Sequence, residues 1–498
     1  MKIRTYIIAF SVLLGIGLGG CEDQLNINTD PNNAADVDVN LLLPSAEAGV
    51  AFAVGNTLQI YGGVWGQYWT QNPSSSQYRT LEQYNPAPSD FDNLWAVLNA
   101  DALEDLQRII DKSRATNRRQ YQAVATLLKA YTVQLSTDLF GDIPYSEAFR
   151  GDKNILNPRF DRQEVIYDSL VVLVDEAVGL IDPSDPNHPG SDDLIYGGDM
   201  EKWLHFGHTL KLRIGLRMSE VNPGKAQSIV ATLAGKDFIQ SGESAQINYT
   251  STGGNQNPLY SAIAGPVLGP TQNLVASSTA INFYNELGDP RLFAFYMPAS
   301  NGSYVGLPQG NFNAPAGGPV SIPSPATGAD VGEAESALAP VKLMTDYEAK
   351  FLQAEAAARG WLPGDAAALY QAGILDNFVA YEIDPADIYG ELDEDEAVTF
   401  EQFYADPGVA FPATAGLAGQ LEAIITQKWA AMNGNQNIEA WNEWRRTGYP
   451  SFFTPSVTSI IGAGRIPQIF LYPTVETTRN SNAPAQHQIY DRVWWDVR

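Results

Sequence analysis

Residues 91–145, FDNLWAVLNADALEDLQRIIDKSRATNRRQYQAVATLLKAYTVQLSTDLFGDIPY, predict two amphipathic helices joined by a short turn. Apolar residues recur at every third or fourth position from Phe91 to Ile110, which is the period of an α-helix. The pattern returns from Tyr121 to Leu139, after a break at which Asn117 can cap the second helix. The glycine and proline of the following GDIP then end that helix. The stretch therefore predicts a helical hairpin.

Further helices with the same period follow towards the C-terminus. Small alanines such as Ala354 and Ala356 let neighbouring helices approach closely, and recurring helix pairs of this kind are similar to tetratricopeptide units. Residues 250–340, rich in Gly, Pro, Ser and Asn, interrupt the pattern and are typical of loops. The prediction is an all-α fold of tetratricopeptide-like helical hairpins with long irregular loop excursions. The predicted elements are single helices at 161–181 and 203–220, and hairpins of 345–360 with 366–381 and of 421–432 with 437–446.

The N-terminus, MKIRTYIIAFSVLLGIGLGGCED, has the composition of a secretory signal. A basic start precedes an apolar run that is too short to span a bilayer comfortably, and small residues lead to Cys21. This arrangement resembles the bacterial lipoprotein box, in which the cysteine becomes the lipid-anchored first residue. The alternative is a signal peptide cut nearby, which would leave Cys21 as a free thiol. The acidic residues after Cys21 resemble the surface-export signal of Bacteroidetes lipoproteins, which indicates the cell exterior.

These features predict three parts of the chain. Residues 1–20 form a lipoprotein signal peptide, and residues 21–44, rich in Asn, Asp and Pro, form a lipidated flexible tether. Residues 45–498 form a single helical-repeat domain. Contact with the membrane is expected through the lipid anchor only.

The composition is that of a packed globule, with 44% apolar and 11% aromatic residues. Nucleic acid is an unsuitable partner because 57 acidic residues outnumber 30 basic ones, for a net charge of −27. Cys21 is the single cysteine, so the chain has neither an internal disulfide nor a thiolate zinc site.

Enzyme signatures are scarce. The sequence contains neither a GxSxG elbow nor an HExxH metal helix. His205 and His208 can share a helix face, but their apolar neighbours favour a packed interior. Alternating Glu391, Asp393 and Asp395 suit calcium, yet the run lacks the loop glycine and is better interpreted as a solvated acidic turn. No catalytic residue, metal or cofactor is predicted. A surface hydrolase with paired carboxylates stays open, because their separation depends on the fold.

The region from Tyr61 to Tyr84 is the strongest candidate for ligand binding. It mixes aromatic, amide, Gly and Ser residues, a composition that we interpret as a long exposed loop. Aromatic rings stack on the apolar faces of sugars, and amides and arginine pair with sugar hydroxyls. The alternative, that these aromatic residues belong to the core, stays open. The candidate residues are Trp65, Gln67, Tyr68, Trp69, Gln71, Asn72, Tyr78 and Arg79.

Five sequence motifs, in order along the chain, together resemble the SusD/RagB-like nutrient-binding outer-membrane lipoproteins. The resemblance is to the subgroup that opens with a cysteine, acidic residues and NxDPN. Taken alone, LFGDIPY is a rigid exit from a hairpin and WNEWRR a packed helix end, so both indicate architecture rather than ligand contact. The motifs are CEDQLNINTDPNNA, LSTDLFGDIPYSEAF, YEAKFLQAEAAARGW with YQAGI, ITQKWAAMNGNQNIEAWNEWRRTGYP, and RIPQIFLYPTVETTRN.

The resemblance implies a SusD-like fold on an outer-membrane lipoprotein of the cell surface. Such a protein binds a nutrient, here an oligosaccharide rather than a peptide, and delivers it to a TonB-dependent β-barrel transporter as its lid, without catalysis. The family places its binding face partly in the central excursion, which adds Tyr296, Tyr304 and Asn313 to the candidates. A peptide-binding lid, a surface hydrolase and a helical scaffold that binds only protein are the alternatives.

Overall fold

A computed structural model describes residues 37–265, 269, 271–315, 317–390 and 397–498. The predicted signal peptide, Cys21, residues 22–36 of the predicted tether and the acidic run 391–396 lie outside the described residues. Helices dominate the described part of the chain, and its strands are short, which confirms the all-α prediction.

The helices alternate with long connections. Asp92 to Thr116 is one continuous helical segment, in which a π-helical stretch, Ala96–Ala102, joins α4 to α5. The helices are α1 (Val39–Gly55), α2 (Thr57–Trp65), α3 (Arg79–Glu82), α4 (Asp92–Trp95), α5 (Leu103–Thr116), α6 (Arg119–Phe140), α7 (Gln163–Leu180), α8 (Met200–Arg217), α9 (Pro223–Ala231), α10 (Pro258–Ile263), α11 (Ser278–Leu287), α12 (Arg291–Phe295), α13 (Asp346–Ala358), α14 (Ala366–Ala380), α15 (Phe400–Tyr404), α16 (Leu417–Met432), α17 (Asn437–Thr447) and α18 (Thr474–Arg479).

The described strands form antiparallel pairs that tie the connections together. Two of the four pairs involve the central excursion, and a third joins the two segments that flank it. The pairs are β1 (Trp69–Gln71) with β5 (Leu274–Ala276), β2 (Ile143–Pro144) with β3 (Phe160–Asp161), β4 (Ala245–Ile247) with β8 (Val341–Met344), and β6 (Tyr296–Met297) with β7 (Ile322–Pro323).

The predicted hairpins are present. Helix α5 packs on α6, α6 on α7, α7 on α8, and α13 on both α14 and α16. One local prediction is wrong: Asn117 does not cap the second helix. With φ 57° it adopts the left-handed conformation that ends α5, and Arg118 precedes α6. Asparagine serves either end of a helix, so the residue type alone did not decide between them.

The first helices lie in the core. Val39–Trp65 is long and apolar enough to span a membrane by composition, but Asn56 breaks it into α1 and α2, and most of their apolar side chains are buried. At Gly62 the α2 backbone touches the start of α17, where an added Cβ would lie 2.2 Å from the Ile438 nitrogen. The two ends of the domain therefore pack directly on each other.

Buried ion pairs join four of the long helices. Arg217 of α8, fully buried, pairs with Asp138 of α6 and with Glu439 and Glu443 of α17. Arg446 of α17 binds Glu443 and also reaches Glu355 of α13. Burial opposes ionisation of Glu443, but the nearby cations outweigh it and hold its pKa well below the usual range. The WNEWRR segment is thus buried architecture, as predicted.

Candidate ligand-binding face

Residues 61–84 do not form the exposed loop that their composition predicts. The region begins as α2, turns, and continues as β1, which pairs with β5 more than 200 residues later in the chain. Gln309, also in the central excursion, donates from Nε2 to the carbonyl oxygens of Val64 and Trp69, at 2.7 and 3.1 Å. The central excursion therefore covers this region.

The aromatic residues at the centre of the predicted site are core residues. Trp65, Tyr68 and Trp69 are at most 1% exposed. The Tyr68 hydroxyl donates to the Trp429 carbonyl oxygen at 2.5 Å, and the two rings stack with centroids 5.0 Å apart. Tyr296 is fully buried and donates to the Tyr68 carbonyl oxygen at 2.9 Å. These four side chains present no surface to a ligand in this conformation, which corrects the prediction for them.

The two buried glutamines position the backbone. Gln67 accepts from the Thr279 hydroxyl at 2.8 Å and donates to the Thr454 carbonyl oxygen at 2.7 Å, which joins three distant segments. Gln71 donates to the Asn72 carbonyl oxygen at 3.0 Å and to the Ser75 hydroxyl, inside the turn that follows β1. Their amides are occupied by these contacts, so the prediction of ligand contact is wrong for both in this conformation.

The other predicted residues reach the surface. Asn72, Tyr78, Arg79 and Tyr304 are half-buried, and Asn313 is exposed. They lie on two segments, residues 72–79 and 304–313, which together with residues 456–461 we call the ligand face. The Arg79 guanidinium lies over the Phe312 ring, 5.1 Å from its centroid. At this contact the candidate Arg79 meets the residue next to the candidate Asn313, so the two candidate regions adjoin here.

Hydrogen bonds hold the third segment of the ligand face, residues 456–461, in place. Val457 N donates to the Gln309 carbonyl oxygen at 2.9 Å, and the Thr458 hydroxyl donates to the Gly310 carbonyl oxygen at 3.3 Å. On its other side, Ile460 N donates to the Gln83 carbonyl oxygen at 3.1 Å. Residues 456–461 therefore run between the central excursion and the chain after α3.

A cleft of about 450 Å³ borders the ligand face, a size within the usual range for ligand pockets. Its lining combines amides with aromatic and aliphatic side chains, and we call it the amide cleft. Arg465 covers one wall, with its guanidinium 4.1 Å from the centroid of the Tyr490 ring. The lining residues are Tyr84, Asn85, Pro86, Ile460, Ile461, Leu471, Gln486, His487, Gln488, Ile489 and Tyr490.

The backbone beside the amide cleft is strained. Tyr84 has φ 59°, a left-handed conformation that bulky residues rarely adopt, and its hydroxyl accepts from Ser456 N at 2.9 Å. Gln67 also has a positive φ, of 61°. Strain of this kind clusters at ligand sites, where the surrounding contacts enforce it.

A buried carboxyl lies beneath the ligand face. Glu82, at the end of α3, is fully buried and accepts from Gln71 N at 3.0 Å. Burial raises its pKa to about 7, against the opposing effect of hydrogen bonds from Thr70, Gln71 and Gly310. Its protonation state therefore changes near neutral pH, under the residues that form the face.

The amide cleft suits a neutral, hydroxyl-rich ligand. Amides offer both donors and acceptors, and Tyr490 with Ile460 provides apolar surface. None of the residues lining the cleft is Asp or Glu, whereas glycoside hydrolysis canonically needs two carboxyl groups flanking the bond. Within the described ranges, no group of three or more His, Cys, Asp or Glu side chains is placed to hold a metal ion.

Both helical histidines of α8 are buried in the packed interior, as predicted. His205 Nδ1 contacts the Glu243 carboxylate at 2.9 Å, and His208 Nδ1 contacts the Asp237 carbonyl oxygen at 2.7 Å.

Sequence reasoning missed part of the surface. Phe312, Ile460, Gln488 and Tyr490 line the ligand face or the amide cleft and were not candidates. The segment QHQIY, residues 486–490, carries the same mixture of amide and aromatic residues that singled out residues 61–84. That signal was present, but shorter and nearer the C-terminus.

Comparisons with known proteins agree on one family. A SusD-like family model, described as starch-binding and associating with the outer membrane, matches residues 31–473. A solved chitin-binding protein is 24% identical, with a TM-score of 0.75 over 93% of this chain and 100% of its own. A SusD homologue from Bacteroides uniformis is 24% identical, with a TM-score of 0.74 over 92% and 99% of the two chains.

A chitin-binding SusD homologue from Flavobacterium johnsoniae is 23% identical, with a TM-score of 0.71 over 91% of this chain and 98% of its own. No curated protein sequence matches the chain. The structural likenesses agree with the resemblance that the sequence motifs carry, and the family model covers most of the residues. The chain belongs to the SusD-like family.

Proposed function

We propose that the protein captures an oligosaccharide on its ligand face and in the adjoining amide cleft. The observation that carries the proposal is the amide cleft itself, because its neutral amides and apolar side chains match the hydroxyls and ring faces of a sugar. The family description, starch-binding, and the chitin-binding names of two similar structures support a glycan over a peptide. Asn72, Tyr78, Arg79, Tyr304 and Asn313 are the remaining predicted contacts.

The protein acts at the outer membrane and catalyses nothing in this proposal. It is anchored through lipid on Cys21, faces the cell exterior, and consists of one domain after the tether. The domain begins with α1 rather than at residue 45, because Val39, Leu42 and Leu43, which the sequence assigns to the tether, are buried in the core. It closes as a lid over a TonB-dependent β-barrel transporter and passes the oligosaccharide into the barrel. The family description, associating with the outer membrane, supports this location. The lack of acidic residues in the lining of the amide cleft supports binding without hydrolysis.

Substitution in the amide cleft tests the proposed site. Tyr490→Ala combined with Gln488→Ala removes one ring and one amide from the lining, and we expect at least about tenfold weaker oligosaccharide binding. Isothermal titration calorimetry with starch-type and chitin-type oligosaccharides measures the affinity. Tyr260→Ala, a half-buried tyrosine outside both surfaces, is the control and should leave the affinity unchanged.

Unchanged affinity in the double variant, with thermal unfolding like that of the parent protein, would remove the amide cleft from the site. Arg79→Ala then tests the ligand face independently of the amide cleft. Its guanidinium rests on Phe312 and has no ion pair among the described residues, so its loss weakens binding only if the ligand reaches the ligand face.

A further inference from the structure

A second pocket, on the first helical hairpin, has a lining of a different kind. It lies between α5, α6 and residues 145–153 and has a volume of about 370 Å³, within the usual range for ligand pockets. Four of its ten lining residues are cations, although acidic residues outnumber basic ones by nearly two to one in the chain. We call it the cationic pocket, lined by Gln107, Asp111, Arg114, Lys129, Tyr145, Ser146, Ala148, Phe149, Arg150 and Lys153.

The hairpin and the chain after it bring these cations together. Gln107, Asp111 and Arg114 recur at helical spacing on one face of α5, and Lys129 faces them from α6. Residues 145–153, which follow β2, add Arg150 and Lys153 on the third side. The lining side chains converge from three segments spread over residues 107–153, so the sequence pattern alone does not reveal the cluster.

None of the four cations has a carboxylate within ion-pair distance in the part of the chain that the structure describes. Arg114, Arg150 and Lys153 are exposed and Lys129 is half-buried, whereas the buried Arg217 and Arg446 each contact two or more carboxylates. Lys129 instead donates to the neutral amide oxygen of Gln107 at 2.5 Å. The pocket's one carboxyl side chain, Asp111, accepts from the same amide at 3.0 Å. The lining therefore holds four cations against one carboxylate, and none of the four is ion-paired.

Two rings complete the lining. Lys129 Nζ lies 6.0 Å from the centroid of the Tyr145 ring and 5.7 Å from that of Phe149. Phe149 has φ 57°, a strained conformation for an aromatic residue, and this orients the loop that carries Arg150. The rings supply apolar surface beside the cations, which suits an anionic group attached to a sugar ring better than a bare inorganic ion.

We propose that the cationic pocket binds the acidic group of a sugar, a carboxylate, sulfate or phosphate, at a site separate from the amide cleft. The choice of a sugar rests on the proposed glycan capture, whereas binding of an anion does not. Burial, together with Arg114 and Arg150, lowers the pKa of Lys129 to about 8, against the attraction of Asp111. A bound anion favours the charged lysine, so binding near pH 8 takes up protons.

Calorimetry of the soluble chain with glucuronate, glucose, inorganic sulfate and inorganic phosphate, at fixed ionic strength, tests the pocket. We expect glucuronate to bind and glucose not to bind. Lys129→Met and Arg150→Gln should each weaken glucuronate binding about tenfold or more, because each removes a charge-assisted contact. Arg108→Gln, an exposed cation on the same helix that is paired with Glu104, is the matched control and should change the affinity little.

Proton uptake provides a second readout. Titrations at pH 8 in two buffers of different ionisation enthalpy should show uptake by the parent protein and none by Lys129→Met. The other charged or titratable groups that face Lys129 are Asp111 and Arg114 of α5, with Tyr145, Arg150 and Lys153 of the loop.

The possible failures are distinguishable. Glucuronate binding that is absent, or that falls equally in Arg108→Gln, would overturn the pocket. Sulfate or phosphate binding as tight as that of glucuronate would overturn its assignment to a sugar. Arg150→Gln keeps the test decisive if Lys129→Met fails to fold, since Arg150 is exposed. Binding of neutral oligosaccharides to the amide cleft is measured in a separate titration. Failure of glucuronate binding can therefore be distinguished from failure of oligosaccharide capture.

Discussion

At the residue scale, burial gives Glu82 a role that its sequence position does not suggest. Its folded-state pKa of about 7 lies above the unfolded value of about 4.3. The folded chain therefore keeps a proton that the unfolded chain releases. Protonated Glu82 therefore contributes fully to the free energy of unfolding below the unfolded-state pKa. The contribution is lost as the pH rises through the folded-state pKa.

Glu82→Gln should remove this pH dependence, because the amide keeps an oxygen for Gln71 N and carries no charge. Relative to the parent protein, we expect the variant to gain about 3 kcal/mol of unfolding free energy between pH 4.5 and pH 8. Urea unfolding at several pH values measures the difference. Glu176→Gln, an exposed glutamate on α7, is the control, and parallel pH profiles for Glu82→Gln and the parent protein would contradict the assignment.

The residue scale also shows where prediction from the sequence failed. Trp65, Tyr68 and Trp69 have side chains that suit both a sugar site and a packed core, and composition does not distinguish the two. Their burial depends on Gln309 and Leu274–Ala276, which are distant in the sequence. Asn313 and Arg79 stayed accessible because Asn313 lies on a turn and Arg79 begins the short helix α3, both at the edge of the same contact.

At the element scale, the long helices were predictable because their apolar period is local. The helices over 163–180, 346–358 and 437–447 begin and end within a few residues of the predicted limits. The strands were missed since each is only two to four residues long and pairs with a distant partner. The cationic pocket escaped prediction for a similar reason, because its residues meet only when the hairpin closes.

The crossing of α2 and α17 depends on a glycine. In Gly62→Ala the new Cβ would lie 2.2 Å from the Ile438 nitrogen and 2.4 Å from the Asn437 carbonyl carbon, so the helices must separate. We expect a loss of about 1–3 kcal/mol in unfolding free energy, which outweighs the better helix propensity of alanine. Thermal and urea unfolding measure it.

Gly224→Ala in α9 is the control for this substitution, since nothing lies within 4 Å of its added Cβ. Its stability should be unchanged or slightly higher. Equal stability of Gly62→Ala and the parent protein would show that the two helices do not depend on this close approach.

At the scale of the whole molecule, the proposed lipid anchor and the proposed binding surfaces are separate parts of the chain. Cys21 precedes the described domain, so its replacement should not disturb folding. We expect Cys21→Ala to move from the membrane fraction to the soluble fraction. Lipid-anchored proteins bind membranes through their buried lipid chains, and the variant has no cysteine to carry them. Fractionation followed by immunoblotting measures this. Variant protein that still sediments with membranes would contradict the lipid anchor.

The most direct test of the central claim, glycan capture without catalysis, uses the soluble chain from residue 22 onwards. Calorimetry against a panel of starch-type and chitin-type oligosaccharides and of peptides measures binding, and product analysis of the same mixtures measures breakdown. We predict binding of at least one oligosaccharide class and no new products. Cleavage of a bound glycan, preference for the peptides, or no binding in either panel would contradict the account.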